Sequence, residues 1–383
     1  MTTIRYAFTR RAFTALVFML VAPLSGAAQP APAQAAAMAA GAARVRMEPP
    51  TGSKPVLEDR YPERRTQFPG GVIGLADLTY ESLAGFRPLI LDLYRPVSIS
   101  TPHPLVLYIH GGGWTSGHTR HSGAFENWPA VLAAIAARGY VVASVEYRLS
   151  GEAPFPAAIQ DVKAAIRWLR THSSDYGIDP RRAVIWGGSA GGQLAALAGT
   201  SCGVAALEPP GAAAAQRPEP GAAAANSAAA SAMSPKPSAP ASDCVQGVIA
   251  WYGIFDFTTL AKQSGASGPN VNDASASPAK YLGCALSKCS PQAIAAAGAT
   301  TYIDAKDPPV LMIHGVNDHT VPIQQSRDYL AALKTKGVRA ELIEIPGVEH
   351  SFIGPTAEAT RAASLRALNE SLEFIDRTVG PGT

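Results

Sequence analysis

The sequence predicts an α/β fold in which a mostly parallel sheet is flanked by helices. Short apolar runs alternate with helical patterns along the chain, as parallel strands joined by crossover helices require. Hydrophobic residues make up 47% of the 383 positions and charged residues only 16%. This composition favours a buried sheet over a nucleic-acid-binding surface, and the length suffices for one large domain with tails.

Seven apolar segments have the length and the boundaries of strands. They are residues 89–94, 105–110, 141–147, 183–186, 245–252, 310–314 and 341–345. Apolar residues recur at helical spacing within residues 159–169 and 365–375. Gly139 and Gly337 fall where two further helices should end.

The first 28 residues have the three parts of a secretory signal peptide. Three arginines precede an apolar run at residues 12–24, and small residues follow up to Ala28. About 13 apolar residues fall short of the roughly 20 that a membrane-spanning helix needs. We therefore expect cleavage near Ala28, export to the periplasm or the medium, and no stable membrane insertion. Because cleavage removes three Arg from a net charge of +3, the remaining chain is near neutral, and a nucleic acid is not an expected partner.

Two segments are rich in Ala and Pro and have no apolar period. Residues 29–50 are predicted to form a disordered spacer after the signal peptide at 1–28. Residues 207–242 are predicted to form a disordered insertion within a single domain over residues 51–383. A region at about 255–307, between two late strands, is predicted to form a small cap.

The chain contains four cysteines, an even number in a sequence that is expected to leave the reducing cytosol. They are Cys202, Cys244, Cys284 and Cys289. One hypothesis pairs the first two across the base of the insertion and the last two in a local loop; pairing of Cys202 with Cys284 is the alternative. A zinc site is the competing interpretation of these cysteines, but no Cys-x-x-Cys or His-x-x-x-His spacing accompanies them. No metal and no other cofactor is therefore predicted.

The strongest motif is Gly-x-Ser-x-Gly around Ser189, directly after a strand and before a helical pattern. Such a turn displays its serine at the end of the sheet, and Gly187 and Gly191 let strand and helix approach without a collision of Cβ atoms. The pentapeptide alone is equally typical of an ordinary glycine-rich turn. The flanking strand and helix favour a nucleophilic serine.

A second glycine-rich motif, His-Gly-Gly-Gly-Trp, follows the strand predicted at 105–110. The N–H groups of Gly112 and Gly113, together with that of Ala190, are predicted to bind the negative oxygen of a tetrahedral intermediate. His110 is expected to brace the turn rather than to take part in catalysis. Trp114 is a candidate for stacking on a substrate, and packing in the core is an equally good interpretation.

An acid and a base are expected after the serine in chain order, each on a loop that follows a strand. Asp318 and His350 occupy those places, and Asp256 is the rival acid. His314 closes a strand and His319 lies too near the acid, so each is interpreted as structural or as a surface residue. The predicted triad is therefore Ser189, Asp318 and His350.

These motifs resemble the esterase and lipase branch of the α/β hydrolases, which includes hormone-sensitive-lipase-like and feruloyl or acetyl-xylan esterase-like proteins. The resemblance covers residues 72–378 and rests on segments 110–114, 146–149, 187–192, 314–318 and 349–352. Many relatives have Asp-Tyr-Arg-Leu followed by Ala-Pro-Glu, whereas this chain has Glu146 in place of the acid and Ser150-Gly151-Glu152 after the motif. The resemblance implies an α/β-hydrolase fold.

The predicted function is hydrolysis of carboxylic esters through an acyl-enzyme, on short-chain acyl esters or on feruloyl or acetyl esters of carbohydrates. The expected partner is thus a small-molecule or carbohydrate ester. A serine peptidase or amidase of the same fold is the alternative, because the same triad can cleave amides. A non-catalytic binding module is disfavoured because all three triad positions are filled.

Overall fold

The structure is a computed structural model. It describes residues 64–123, 125–209, 241–265 and 270–380. The predicted signal peptide, the predicted spacer and residues 210–240 of the predicted insertion lie outside these ranges, so the expectations about them remain predictions. Among the described residues, no helix is both long and apolar enough to cross a membrane.

The described residues form a nine-stranded sheet, in which the strands lie in the spatial order β1-β2-β3-β5-β4-β6-β7-β8-β9. Its strands are β1 (Arg64–Phe68), β2 (Val72–Glu81), β3 (Leu89–Pro96), β4 (His103–Ile109), β5 (Val141–Val145), β6 (Ile178–Gly188), β7 (Gly247–Trp251), β8 (Val310–Gly315) and β9 (Ala340–Ile345). Six neighbouring strands pair in parallel, namely β5, β4, β6, β7, β8 and β9. The other three, β1, β2 and β3, pair antiparallel and lie at one side of the sheet. The prediction of a mostly parallel sheet is confirmed.

All seven predicted strands are present, and two more precede them. β1 is polar and largely exposed, so it lacks the apolar pattern by which the other strands were found. β2 carries an irregularity between Leu75 and Leu78, where Asp77 has a φ of 59°. This bulge breaks the alternation that would have identified a strand.

Helices cover both faces of the sheet. They are α1 (Trp128–Ala136), α2 (Ala157–Thr171), α3 (Ser173–Tyr176), α4 (Ala190–Thr200), α5 (Phe257–Ser264), α6 (Ser277–Leu282), α7 (Pro291–Ala296), α8 (Gln324–Thr335) and α9 (Ala357–Val379). α1 and α9 pack on one face, and α2, α4 and α8 pack on the other. Both faces are therefore buried, as a parallel sheet requires. The connecting loops lie at the amino and carboxyl ends of the strands.

Between β7 and β8 the chain forms the short helices α5, α6 and α7, where the sequence predicts the cap. Cys284 and Cys289, between α6 and α7, are joined in a disulfide. The buried side chain of Gln325 on α8 accepts hydrogen bonds from the N–H groups of Phe255 and Asp256, at 2.8 and 2.9 Å. These contacts hold the start of the cap against the helix that follows β8.

The two ends of the predicted insertion meet at the amino edge of the parallel strands, after α4 and before β7. We call residues 201–208 and 241–244 the neck. A disulfide joins Cys202 to Cys244, whose Cα atoms lie 4.9 Å apart. The structure thus has the pairing that the sequence hypothesis proposed, and not the alternative with Cys284.

Buried charges join the neck to α2. The fully buried ammonium of Lys163 lies 2.6 Å from the carboxylate of Asp243 and 3.4 Å from that of Glu208. Arg167 also pairs with both carboxylates, and Arg170 donates to two backbone carbonyls of the neck. Both acids are themselves buried. Because a buried charge is costly unless it is paired, this arrangement specifies where the neck lies.

Candidate active site

Ser189 lies on the tight turn between β6 and α4, at the carboxyl edge of the sheet. Its backbone has a φ of 57° and a ψ of −120°, a combination that L-residues rarely adopt. The N–H of Ser189 donates to the carbonyl oxygen of Trp251 on the neighbouring β7, at 2.9 Å. The turn leaves the serine half-buried, at the wall of a cavity.

The glycines on either side of Ser189 are required by the distances around them. A Cβ added to Gly187 would lie 2.3 Å from the carbonyl oxygen of Gly191. A Cβ added to Gly191 would lie 2.0 Å from the carbonyl oxygen of Ile109 on β4. Any side chain at either position would therefore push the helix away from the sheet, as predicted from the sequence.

His350 and Asp318 reach the serine from the loops that follow β9 and β8. The Nε2 atom of His350 lies 2.9 Å from the Oγ of Ser189, and its Nδ1 lies 2.7 Å from Oδ2 of Asp318. Because a carboxylate only accepts, Nδ1–H donates to Asp318, and Nε2 is left to accept the serine proton. The structure brings the three residues of the predicted triad into one hydrogen-bonded row.

Asp318 is held by more contacts than the triad alone requires. Its Oδ1 accepts the N–H groups of Thr320 and Val321, both at 2.8 Å. The Nε2 of the fully buried His314 lies 3.2 Å from its Oδ2. Burial alone would raise the pKa of Asp318, but hydrogen bonds from His314 and His350 outweigh it and hold that pKa well below its usual range. The carboxylate is thus fixed both in place and in its ionised form.

The rival residues occupy other places. The Asp256 carboxylate accepts the N–H of Thr258 at 2.8 Å and caps the start of α5. His319 is an exposed residue that lies 3.6 Å from Glu349. His314, interpreted from the sequence as structural, is a buried residue beside Asp318.

The glycines after β4 line the cavity beside the serine. Gly112 and Gly113 have φ values of 107° and 59°, and an added Cβ at Gly112 would lie 2.2 Å from the Ser116 carbonyl oxygen. Their N–H groups donate no hydrogen bond to another described residue. Ala190 is the first residue of α4, where a helix leaves its N–H groups without partners. All three line the same cavity as Ser189.

His110 lies beneath this glycine loop. Its ring stacks on Tyr147 with 4.4 Å between centroids, and the Tyr147 hydroxyl donates to the His110 carbonyl oxygen at 3.1 Å. Burial lowers the pKa of His110 to about 4. A neutral, buried imidazole of this kind supports the loop. Glu146, the residue before Tyr147, pairs with Arg87 at 2.8 Å.

Trp114 borders the cavity, but its side chain is only 2% exposed. Its ring stacks on Tyr281 of α6 with 4.3 Å between centroids, and its Nε1–H donates to the Gln193 side chain at 3.0 Å. Gln193 in turn donates to the Ala297 carbonyl oxygen at 2.8 Å. Trp114 thus joins the glycine loop to the cap and offers little surface for stacking. No pattern in the sequence pointed to Gln193.

A cavity of about 910 Å³ opens over Ser189. Its described lining contains no Lys, Arg, Asp or Glu. Tyr252 lies beside the triad, with its ring edge against His350 at 4.8 Å between centroids.

Within the described residues, one group of possible metal ligands occurs at the neck, far from Ser189. It consists of Cys202, Asp243 and Cys244. Its two sulfur atoms are joined in the disulfide.

Residues 91–333 match the protein family described as BD-FAE. The esterase LipQ of Mycobacterium tuberculosis (strain ATCC 25618 / H37Rv) is 29% identical over 271 residues, which cover 70% of this chain and 55% of LipQ. This chain spans about half the length of the curated relatives that it matches.

Two solved structures are similar over most of the described chain. A truncated form of a carbohydrate esterase from gut microbiota has a TM-score of 0.60 and 25% identity, and the match covers 80% of this chain and 96% of that one. The bifunctional GH43-CE of Bacteroides eggerthii has a TM-score of 0.59 and 29% identity, over 80% of this chain and 38% of that one. These similarities confirm the α/β-hydrolase fold predicted from the sequence.

Proposed function

The chain belongs to the BD-FAE family, and from that premise we propose that it is a serine carboxylesterase with Ser189, His350 and Asp318 as its catalytic triad. One observation carries the proposal. The serine hydroxyl, the imidazole and the carboxylate form one hydrogen-bonded row, with contacts of 2.9 and 2.7 Å, at the wall of an open cavity. Curated relatives that are named esterases support it.

The chemistry follows from the contacts. His350 takes the proton of Ser189 as the serine oxygen attacks the ester carbonyl, and Asp318 stabilises the imidazolium that forms. The N–H groups of Gly112, Gly113 and Ala190 bind the oxygen that becomes negative. His350 then gives its proton to the leaving alcohol, and water releases the acid from the acyl-enzyme.

The substrates we propose are short-chain acyl esters, or feruloyl or acetyl esters of carbohydrates. The cavity has about the volume of a small-molecule site and a lining without formal charge, which suits a neutral ester. The similar structures described as a carbohydrate esterase and as a GH43-CE support the carbohydrate esters. Export of the protein, predicted from its first 28 residues, would bring it to such polymers.

Hydrolysis of 4-nitrophenyl acetate by the purified chain, and by Ser189→Ala, tests the proposal. We expect the variant to lose on the order of a thousandfold or more in kcat while its melting temperature is kept. Labelling with a fluorophosphonate and peptide mapping should place the adduct on Ser189. The 4-nitroanilide of the same acid distinguishes an amidase, and near-normal turnover by a folded Ser189→Ala variant would refute the triad.

A further inference from the structure

The cavity over Ser189 has two walls of different chemistry. One wall is the loop at residues 116–123, which we call the polar loop; it contributes hydroxyl, imidazole and glycine groups to the lining. The second wall lies on the cap side, where Ile254, Leu260 and Val271 are apolar and Ser275 and Ser277 add hydroxyls. The three apolar side chains are almost fully buried by the protein around them.

The polar loop is anchored to the sheet by buried polar contacts. The Thr119 hydroxyl donates to the Asp92 carboxylate of β3 at 2.8 Å, and the Ser144 hydroxyl of β5 donates to the Thr119 carbonyl oxygen at 2.7 Å. Arg120 pairs with the same carboxylate at 2.7 Å. A loop tied down in this way presents its exposed side chains to the cavity in fixed positions.

Two histidines are exposed on this anchored loop, His118 and His121, with 6.0 Å between their ring centroids. The Nδ1 of His118 accepts the N–H of Arg120 at 3.2 Å. A neutral imidazole that accepts at Nδ1 carries its proton on Nε2, so His118 has an N–H donor left at Nε2. The two rings therefore form a short row of polar groups suited to hydroxyls.

The position of the general acid decides which part of an ester meets each wall. His350 must give its proton to the leaving alcohol, so the alcohol lies on the His350 side of Ser189. The polar loop ends on that side, since a Cβ added to Gly123 would lie 3.7 Å from the Tyr252 hydroxyl and 3.9 Å from the Ser351 carbonyl oxygen. The cap lies on the other side, where a Cβ added to Gly113 would lie 2.7 Å from the Ser277 hydroxyl.

We propose that His118 and His121 are specificity residues that hydrogen-bond the hydroxyls of the leaving alcohol, while the acyl group lies against the cap. The inference rests on the proposed esterase function and goes further, because it assigns each half of the substrate to a wall. It requires a preference for esters of hydroxyl-rich alcohols over esters of apolar alcohols with the same acyl group.

Two acetate esters that differ only in the alcohol test the assignment: monoacetylated xylobiose and 4-nitrophenyl acetate. In His118→Ala/His121→Ala we expect kcat/KM for the xylobiose ester to fall about tenfold, the effect of losing one or two hydrogen bonds, and that for the aryl ester to change by less than about twofold. His118→Gln keeps an N–H donor and should retain most of the activity on the xylobiose ester. His172→Ala, at the far end of α2, is the matched control and should leave both unchanged.

The outcomes separate the inference from the function on which it rests. Equal loss on both esters, no loss on either, or wild-type activity on the aryl ester alone would overturn the role of the polar loop and leave the esterase proposal standing. Hydrolysis of neither ester by the wild-type protein would remove both proposals.

Discussion

The turn at Ser189 and the neck of the insertion each join segments that are far apart in the sequence, but by different contacts. At the turn, backbone atoms approach so closely that a Cβ on Gly191 would lie 2.0 Å from a carbonyl oxygen. At the neck, a buried lysine, two buried carboxylates and a disulfide hold the chain. The turn excludes side chains, whereas the neck depends on matched ones. We therefore expect changes near the turn to remove activity, and changes at the neck to lower stability alone.

The largest effect is expected for Asp318→Asn. The amide cannot hold His350 in the tautomer that accepts the serine proton, so kcat should fall on the order of 10⁴-fold. The free energy of unfolding, measured by urea denaturation, should also fall, because the amide loses the charge-assisted hydrogen bonds that hold the carboxylate ionised. Asp256→Asn is the control, since its side chain only caps the first turn of helix α5. Full activity of Asp318→Asn with loss in Asp256→Asn would exchange their roles.

Gly191→Ala should reduce both activity and stability, because its methyl group must displace either α4 or β4. A destabilisation of about 3 kcal/mol is typical of such a steric conflict in a packed interior. Gly151→Ala is a matched control, since an added Cβ there meets nothing within 4 Å. Thermal melting and ester hydrolysis should separate the two variants, and equal behaviour would show that the turn tolerates a side chain.

Lys163→Met should lower stability without altering the turnover of the molecules that stay folded. It leaves the Asp243 and Glu208 carboxylates buried with Arg167 as their remaining partner, which should cost about 3 kcal/mol. Arg366→Met removes an exposed pair with Glu370 and should cost less than about 1 kcal/mol. Similar unfolding midpoints for the two variants would contradict the structural importance of the neck.

The smallest effect is expected from deleting residues 211–239. Their Ala- and Pro-rich composition offers little apolar surface to bury, and the deletion keeps Glu208, Asp243 and both neck cysteines. Melting temperature and hydrolysis should both be preserved. A deletion that also takes Glu208 removes a partner of Lys163 and should lower the melting temperature. A large loss from the shorter deletion would show that the segment contributes to the fold.

The same contrast explains what could be predicted from the sequence. Close backbone approach requires glycine, so the turn at Ser189 and the loop at Gly112 could be predicted from their glycines together with the strand and helix patterns that flank them. Ion pairs such as Lys163 with Asp243 join residues that are 80 positions apart, and neither residue type nor periodicity indicates which charges will meet. Exposed β1 and bulged β2 escaped prediction because neither has the alternation produced by burial of one face.

The separation of the neck from Ser189 also bears on how this gene can change. Helix α4 has 11 residues, so the neck lies roughly 16 Å from the nucleophile at the helical rise per residue. The neck Cα atoms lie 4.9 Å apart however many residues connect them, and each doubling of a flexible connection costs only about 0.6 kcal/mol in closure entropy. Codons between the two cysteines can therefore be gained or lost with little selection against the change, and homologues should differ more in length there than anywhere near the triad.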